Sequence, residues 1–381
     1  MTRKKRRFGL LFLITALIAG AAGWWAFDRW MGFADTPIPG LQPDATLSIE
    51  RGDSLHTVLA RLQQAGKPPG DELEWQLLAR QMGVAGRLHV GEFALDAGIT
   101  PRQLLQNMST GKVISHRVTI VEGWNIRQLR AALAKATPLR QETADMSDAE
   151  LMAAVGAPDL HPEGRFLPET YLYTRNDSDL DILKRAHAAL NTELDAAWEA
   201  RAEGLPLNSR DEALILASII EKETGIPEER PEIAGVFIRR LNIGMRLQTD
   251  PTVIYGMGEN YAGRIRRVDL TTDTPYNTYT RAGLTPTPIA MVGRAALQAA
   301  THPKDGDSLY FVAVGDGSGR HVFSRSYAEH NVAVREYVQR LRANRAAAQA
   351  GEPGSSEGAV LQAEQATDAP ADPPANVVPQ P

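Results

Sequence analysis

The sequence predicts a mixed α+β protein, and three observations predict it. A strand, a glycine turn and an amphipathic helix follow one another at residues 47–62 and again at 118–133. A short apolar strand at 308–314 meets a second strand at 321–324 across the glycine-rich turn 315–319. Between these lie long helical patterns, among them the nearly all-apolar run from Leu214 to Ile220. With 381 residues and 43% apolar content, the chain has material for two or three cored units.

Composition excludes several classes of function. A net charge of −5 offers no basic footprint for nucleic acid. The absence of cysteine removes disulfides, thiolate zinc sites, a cysteine nucleophile and a lipid carried on Cys. His321 and His330 have no zinc-type spacing, so no metal or cofactor is expected.

From the N-terminus, residues 1–7 form a basic segment containing Arg3 to Arg7. Residues 8–27 carry no charge and are long enough to cross a bilayer about 30 Å thick. The positive-inside rule then puts the N-terminus in the cytoplasm, with Trp24, Trp25 and Trp30 at the far interface. Ala19-Gly20-Ala21 resembles a signal-peptidase site, but the apolar run is long for a signal core and bulky Trp residues follow it, so an uncleaved anchor is preferred. Residues 28–44, proline-bearing and aperiodic, read as a linker.

The first strand–turn–helix copy, Leu47 to Leu55 leading into HTVLARL, opens a unit spanning 45–115. Glu72 to Met82 supplies a second helix and Leu88 to Leu95 a closing strand. This βααβ pattern with its Gly-Asp-Ser-Leu turn resembles a LysM module, which implies binding of N-acetylglucosamine-containing glycans. The second copy, Val118 to Ile126 leading into RQLRAAL, opens the larger unit at 116–345. Ile49 matches Ile120, Leu55 matches Ile126, and Leu62 matches Leu133. The echo speaks to architecture rather than activity. Residues 346–381, rich in Ala, Pro, Gly and Gln, read as a disordered tail.

The chemistry concentrates in the helix beginning after Ser209. Ser209 and Glu212 have capping-box spacing, and Gly225 with Pro227 marks the stop. Glu221 stands at the end of the apolar run, one turn from Ser218. A carboxyl against apolar walls keeps its proton and can act as a general acid near neutral pH. Read from the helix alone, exposure at a fraying end or pairing with a nearby Arg fits as well. Glu223 points to another side of the helix, so the two acids cannot face one substrate together. Asp250 and Glu169 lie in other polar loops and read equally as catalytic partners or turn caps.

In order, EGRFLPETY at 163–171, LASIIEKETG at 216–225, MRLQTDPTVIYG at 245–256, PYNTYTRAGL at 275–284 and GDGSGRHVFS at 315–324 are similar to the endolytic murein transglycosylase family (MltG, YceG-like). The similarity covers roughly 45–340, with Thr285 and Val292 standing where the family often has proline. It implies a LysM-like subdomain beside an α+β catalytic domain, acting on peptidoglycan strands from the inner membrane and near the peptidoglycan synthases. It also implies that Glu221 protonates the glycosidic oxygen between N-acetylmuramic acid and N-acetylglucosamine. Glu221 then takes the muramyl 6-hydroxyl proton, closing a 1,6-anhydro ring. Glu169, Gln248, Asp250, Tyr255, Tyr276 and Asn277, inside the matching motifs, are the expected substrate-positioning residues. A hydrolase with a second carboxylate, or a non-catalytic glycan-binding scaffold, are the rival readings.

Overall fold

The computed structural model describes residues 3–351. Helix α1 (Arg3–Phe33) contains the uncharged run 8–27. Among the described residues no helix is long and apolar enough to cross a membrane, and the side chains of residues 8–12, which begin that run, lie outside the description.

The chain forms two compact units. The first comprises residues 1–117 with two short returns, 137–140 and 172–177. Strand β1 (Thr46–Ile49), helix α2 (Leu55–Ala65), helix α3 (Glu72–Gln81) and strand β2 (Gly91–Ala94) follow in order, as expected. β1 and β2 pair antiparallel, Thr46 opposite Ala94 and Ile49 opposite Gly91. Ser54 caps α2, accepting from the Thr57 N–H, and Asp71 with Glu74 closes a full capping box on α3. A further helix, α4 (Pro101–Thr110), begins with Thr100 as its cap and Pro101 in its first turn. Leu62, Trp75, Phe93, Leu104 and Met108 fill the core, each worth about 1.5–3 kcal/mol on burial.

The expected linker at 28–44 is not slack. α1 continues through Phe33, and Phe33, Ala34 and Ile38 are buried in the same core as Trp75. Phe33 meets the Trp75 ring edge-on at 5.9 Å, Asp35 pairs with Arg102, and the Ile38 N–H donates to the Ile99 carbonyl. Three apolar side chains among the prolines suffice to dock the segment.

Strand β3 (His116–Thr119) pairs with strand β4 (Thr170–Tyr173). The second unit holds α5 (Ile126–Lys135), α6 (Asp148–Val155), α7 (Asp179–Glu199), α8 (Arg210–Glu223), α9 (Arg230–Asn242), α10 (Asp250–Met257), α11 (Arg267–Thr271) and α12 (Arg294–Thr301). It closes with β5 (Tyr310–Ala313), β6 (His321–Ser324) and α13 (Tyr327–Gly351). β5 and β6 form the expected hairpin, although β5 is only half-buried, not a core strand. The final helix runs through Gly351, so residues 346–351 are helical where a tail was expected to have begun; the rest of that tail lies outside the described residues.

α8 is the axis of this unit. Every residue from Ala213 to Ile220 is buried, and α7, α9 and α12 pack around it. A helix apolar on all sides has to be enclosed in this way. Ser209 caps it through the Glu212 N–H, but the Glu212 carboxylate reaches back to Asn208 rather than to Ser209, so only half of the expected capping box forms.

Candidate active site

The stop signal after α8 leaves Glu221 in the last turn, and the chain then turns into α9, which begins with Arg230. Glu221 has a side chain only 3% exposed. Its Oε1 accepts from Arg230 Nη2 at 3.1 Å, and its Oε2 accepts from the Gly293 N–H at 2.9 Å. Burial raises the pKa of this carboxyl. The Gly293 N–H and Arg230 oppose the rise, and the nearby Glu122 charge adds to it.

Gly293 is the N-cap of α12 and ends the segment 288–293, which runs alongside α8. One turn before Glu221, buried Ser218 accepts the Ile289 N–H at 3.0 Å and donates to the Ile215 carbonyl. The same segment grips the turn before α5: the Gly123 N–H donates to the Met291 carbonyl, and the Met291 N–H to the Trp124 carbonyl. Lys222 adds a bond from Nζ to the Gly123 carbonyl at 3.1 Å. The turn so held presents Glu122, whose Oε2 lies 3.9 Å from Arg230 Nη2. Glu122 is 49% exposed.

A second buried carboxyl supports this arrangement. Glu163 accepts the Ile126 N–H, the free donor at the start of α5, at 3.1 and 3.2 Å. Tyr255 also hydrogen-bonds Glu163, and burial pushes the Glu163 pKa up to about 7. Tyr255 packs edge-on against Tyr276 at 4.8 Å, and the Tyr276 hydroxyl lies 2.9 Å from that of Thr287. Tyr255 and Tyr276 therefore sit together in the wall that orients α5.

Asp250 belongs to a different cluster. It accepts the Tyr279 hydroxyl at 2.6 Å and raises the pKa of Glu223, whose carboxylate takes the Thr249 hydroxyl. Burial is the main cause of the Glu223 shift, to about 7. Gln248, half-buried, takes a left-handed backbone at φ 49° and donates its N–H to the Thr278 carbonyl. Glu169 is exposed and paired with Arg294 at 3.1 Å. Asn277 is fully buried: its Nδ2 donates to carbonyls of Asp269, Leu270 and Thr272, and its Oδ1 accepts the Tyr279 N–H. Its side-chain amide is bonded within its own loop.

His321 is tied to Glu229, and His330 stacks on Tyr310 at 5.2 Å. No group of His, Asp and Glu suited to a metal occurs among the described residues. The neighbours of Glu221 that the motifs did not single out are Arg230, Glu122 and Gly293. Glu122 stands in the EGW turn of the second copy of the echo, which is its only local signal.

Residues 47–336 match the YceG-like family. The chain belongs to that family. It is 32% identical over 312 residues to the endolytic murein transglycosylase of Bacillus subtilis, covering 77% of this chain and 84% of that protein. It is 30% identical over 181 residues to the endolytic murein transglycosylase of Streptococcus pneumoniae, across 46% of this chain and 32% of that one. A crystal structure of a yceG-like protein from Listeria monocytogenes is 29% identical, with 76% of this chain and 99% of that chain covered at a TM-score of 0.48.

Proposed function

We propose that this chain is a membrane-anchored lytic transglycosylase that cuts peptidoglycan strands internally between N-acetylmuramic acid and N-acetylglucosamine. The observation that carries the reading is the setting of Glu221. Its carboxyl is desolvated, its ionised form has two donors waiting, and it ends a rigid buried helix. In the first step the Glu221 proton passes to the glycosidic oxygen as the bond to the muramyl anomeric carbon breaks. The carboxylate left behind is met by Arg230 Nη2 and the Gly293 N–H, donors already in place. In the second step that carboxylate takes the proton from the muramyl 6-hydroxyl, whose oxygen bonds the anomeric carbon. One bond is broken and one formed, the proton returns to Glu221, and no water is consumed.

The uncharged run 8–27 behind five basic residues supports an inner-membrane anchor with both units in the periplasm, where the cleavage would end growing strands beside the synthases. The β1-α2-α3-β2 order with paired outer strands supports a LysM-like glycan-holding role for the first unit. Substrate positioning is assigned to Glu169, Gln248, Asp250, Tyr255, Tyr276 and Asn277 on their place in the motifs, Asn277 acting through the loop its buried amide holds.

One observation favours a hydrolase instead. Carboxylate oxygens of Glu122 and Glu221 lie 3.9 and 3.1 Å from the same Arg230 Nη2, so a second acid stands near the first, as a hydrolase needs. The two acids lean on one cation, however, rather than facing each other across a gap. Mass spectrometry of purified glycan strands digested by the full chain and by Glu221→Gln decides between the readings. Internal cuts ending in 1,6-anhydro-muramic acid, absent with the variant, are expected. Free reducing ends would establish the hydrolase, and strands bound but uncut would establish a scaffold.

A further inference from the structure

We propose that Glu122 is a positioning residue of this site: its carboxylate shares the Arg230 guanidinium with Glu221 and keeps that cation neutralised while Glu221 holds its proton. The proposal rests on Glu221 being the acid of the reaction. Two carboxyls and one guanidinium meet here, so one proton retained between the acids leaves the group neutral. Burial decides which acid keeps it. The Glu122 side chain is half in water, whereas the Glu221 side chain is almost wholly enclosed, and enclosure favours the neutral form. When Glu221 gives up its proton, Arg230 is already 3.1 Å from it and 3.9 Å from Glu122, so the cation answers the new charge without moving.

The backbone is shaped to allow this. A methyl group on Gly293 would sit 1.9 Å from Glu122 Oε1 and 2.4 Å from its Cδ. The Gly293 φ of −76° suits any residue, so the Glu122 carboxyl, and not the backbone, is what a side chain there would disturb. The other groups around Glu221 are accounted for. Arg230 comes from α9, the Gly293 N–H from the start of α12, and Lys222 on α8 itself is bonded to the Gly123 carbonyl. Glu229, beside Arg230, is turned to His321.

The experiment compares full-length wild type, Glu122→Gln, Glu122→Asp and Gly293→Ala in detergent micelles, measuring kcat/KM on purified glycan strands against pH. Loss of the neighbouring charge makes Glu221 easier to ionise, so the alkaline limb of Glu122→Gln is expected at lower pH. A shift of about half a unit to one unit is a loss of about three- to tenfold at the alkaline end, with little change at the acid end. Glu122→Asp should keep the wild-type limb, and Gly293→Ala, which displaces the carboxylate, should resemble Glu122→Gln. An unmoved limb in Glu122→Gln, or an equal loss at every pH in both Gln and Asp variants, overturns the proposal. The same titration is read without turnover from the carbon-13 carboxyl signal of Glu221, assigned by its absence in Glu221→Gln. If wild type cuts nothing yet Glu122→Gln lowers the Glu221 titration, the charge coupling stands and the enzymatic reading falls. If strands are cut and the titration does not move, only the role of Glu122 falls.

Discussion

Ser218 and Glu221, one turn apart on α8, accept backbone N–H groups from the two ends of one short segment, Ile289 and Gly293. The acid is thereby registered against a piece of chain that also carries the turn bearing Glu122. An error of about an ångström in this register is enough to cost a large share of turnover.

Ser218→Ala should therefore act on both stability and rate. It leaves the Ile289 N–H buried without its acceptor, at a cost of about 1–3 kcal/mol. Thermal unfolding with steady-state kinetics should show a lower Tm and a reduced kcat at nearly constant KM. An unchanged kcat would mean that Glu221 does not need the segment in register.

Stability should fall between about pH 4.5 and 7. Glu163 and Glu223 are both raised to about 7 in the folded chain from an ordinary 4.5, so over this window the folded state holds protons that the unfolded state has released. The stabilisation is complete below the unfolded value and lost as pH rises to the folded value, on the order of 3 kcal/mol for each group. Denaturant titrations of wild type and Glu223→Gln across the window check this: the variant should show a flatter dependence, and parallel curves would refute it.

Asn277→Ala should unfold more easily rather than bind more weakly. Its amide joins three carbonyls and one N–H inside the loop, and its loss should cost about 2–4 kcal/mol. Measured on the protein that remains folded, KM should be unchanged; a raised KM at wild-type stability would place Asn277 itself on the binding surface.

Gly164→Ala should disturb the site from a distance. Gly164 has φ +73°, and a methyl group there would lie 2.4 Å from Pro288 Cβ and 3.0 Å from the Ala290 carbonyl. Strain and overlap together should cost more than about 2 kcal/mol and push on the segment that reaches Glu221. Calorimetry should show the lowered Tm, and kinetics a fall in kcat that a surface Gly204→Ala control does not share.

What the sequence revealed and what it hid follow from how local each signal is. The bounds of α8 were legible because Ser209, the apolar run and Gly225 act within a few residues of one another. The strand–turn–helix echo was legible for the same reason, and Asn125 and Ser54 cap the helices it promised. Glu122, Arg230 and Gly293 meet Glu221 only after the chain has folded, and no spacing in the sequence marks that meeting. The bonds that tie the Asn277 amide into its loop were hidden because an amide that braces a loop and one that faces a sugar have the same neighbours in sequence. The docked segment around Phe33 and Ile38 was hidden because three apolar residues among prolines have no period to read.

The order in which these parts leave the ribosome has its own consequence. Glu122, Glu221 and Arg230 are all made before Gly293, and the N–H that meets Glu221 Oε2 comes last. A nascent chain stopped short of residue 289 carries the acid and its cation but lacks both the Ile289 clasp and the Gly293 donor. The acid is thus left without its full setting through most of synthesis, so a chain cut short inside this segment carries Glu221 but not all the donors that hold it.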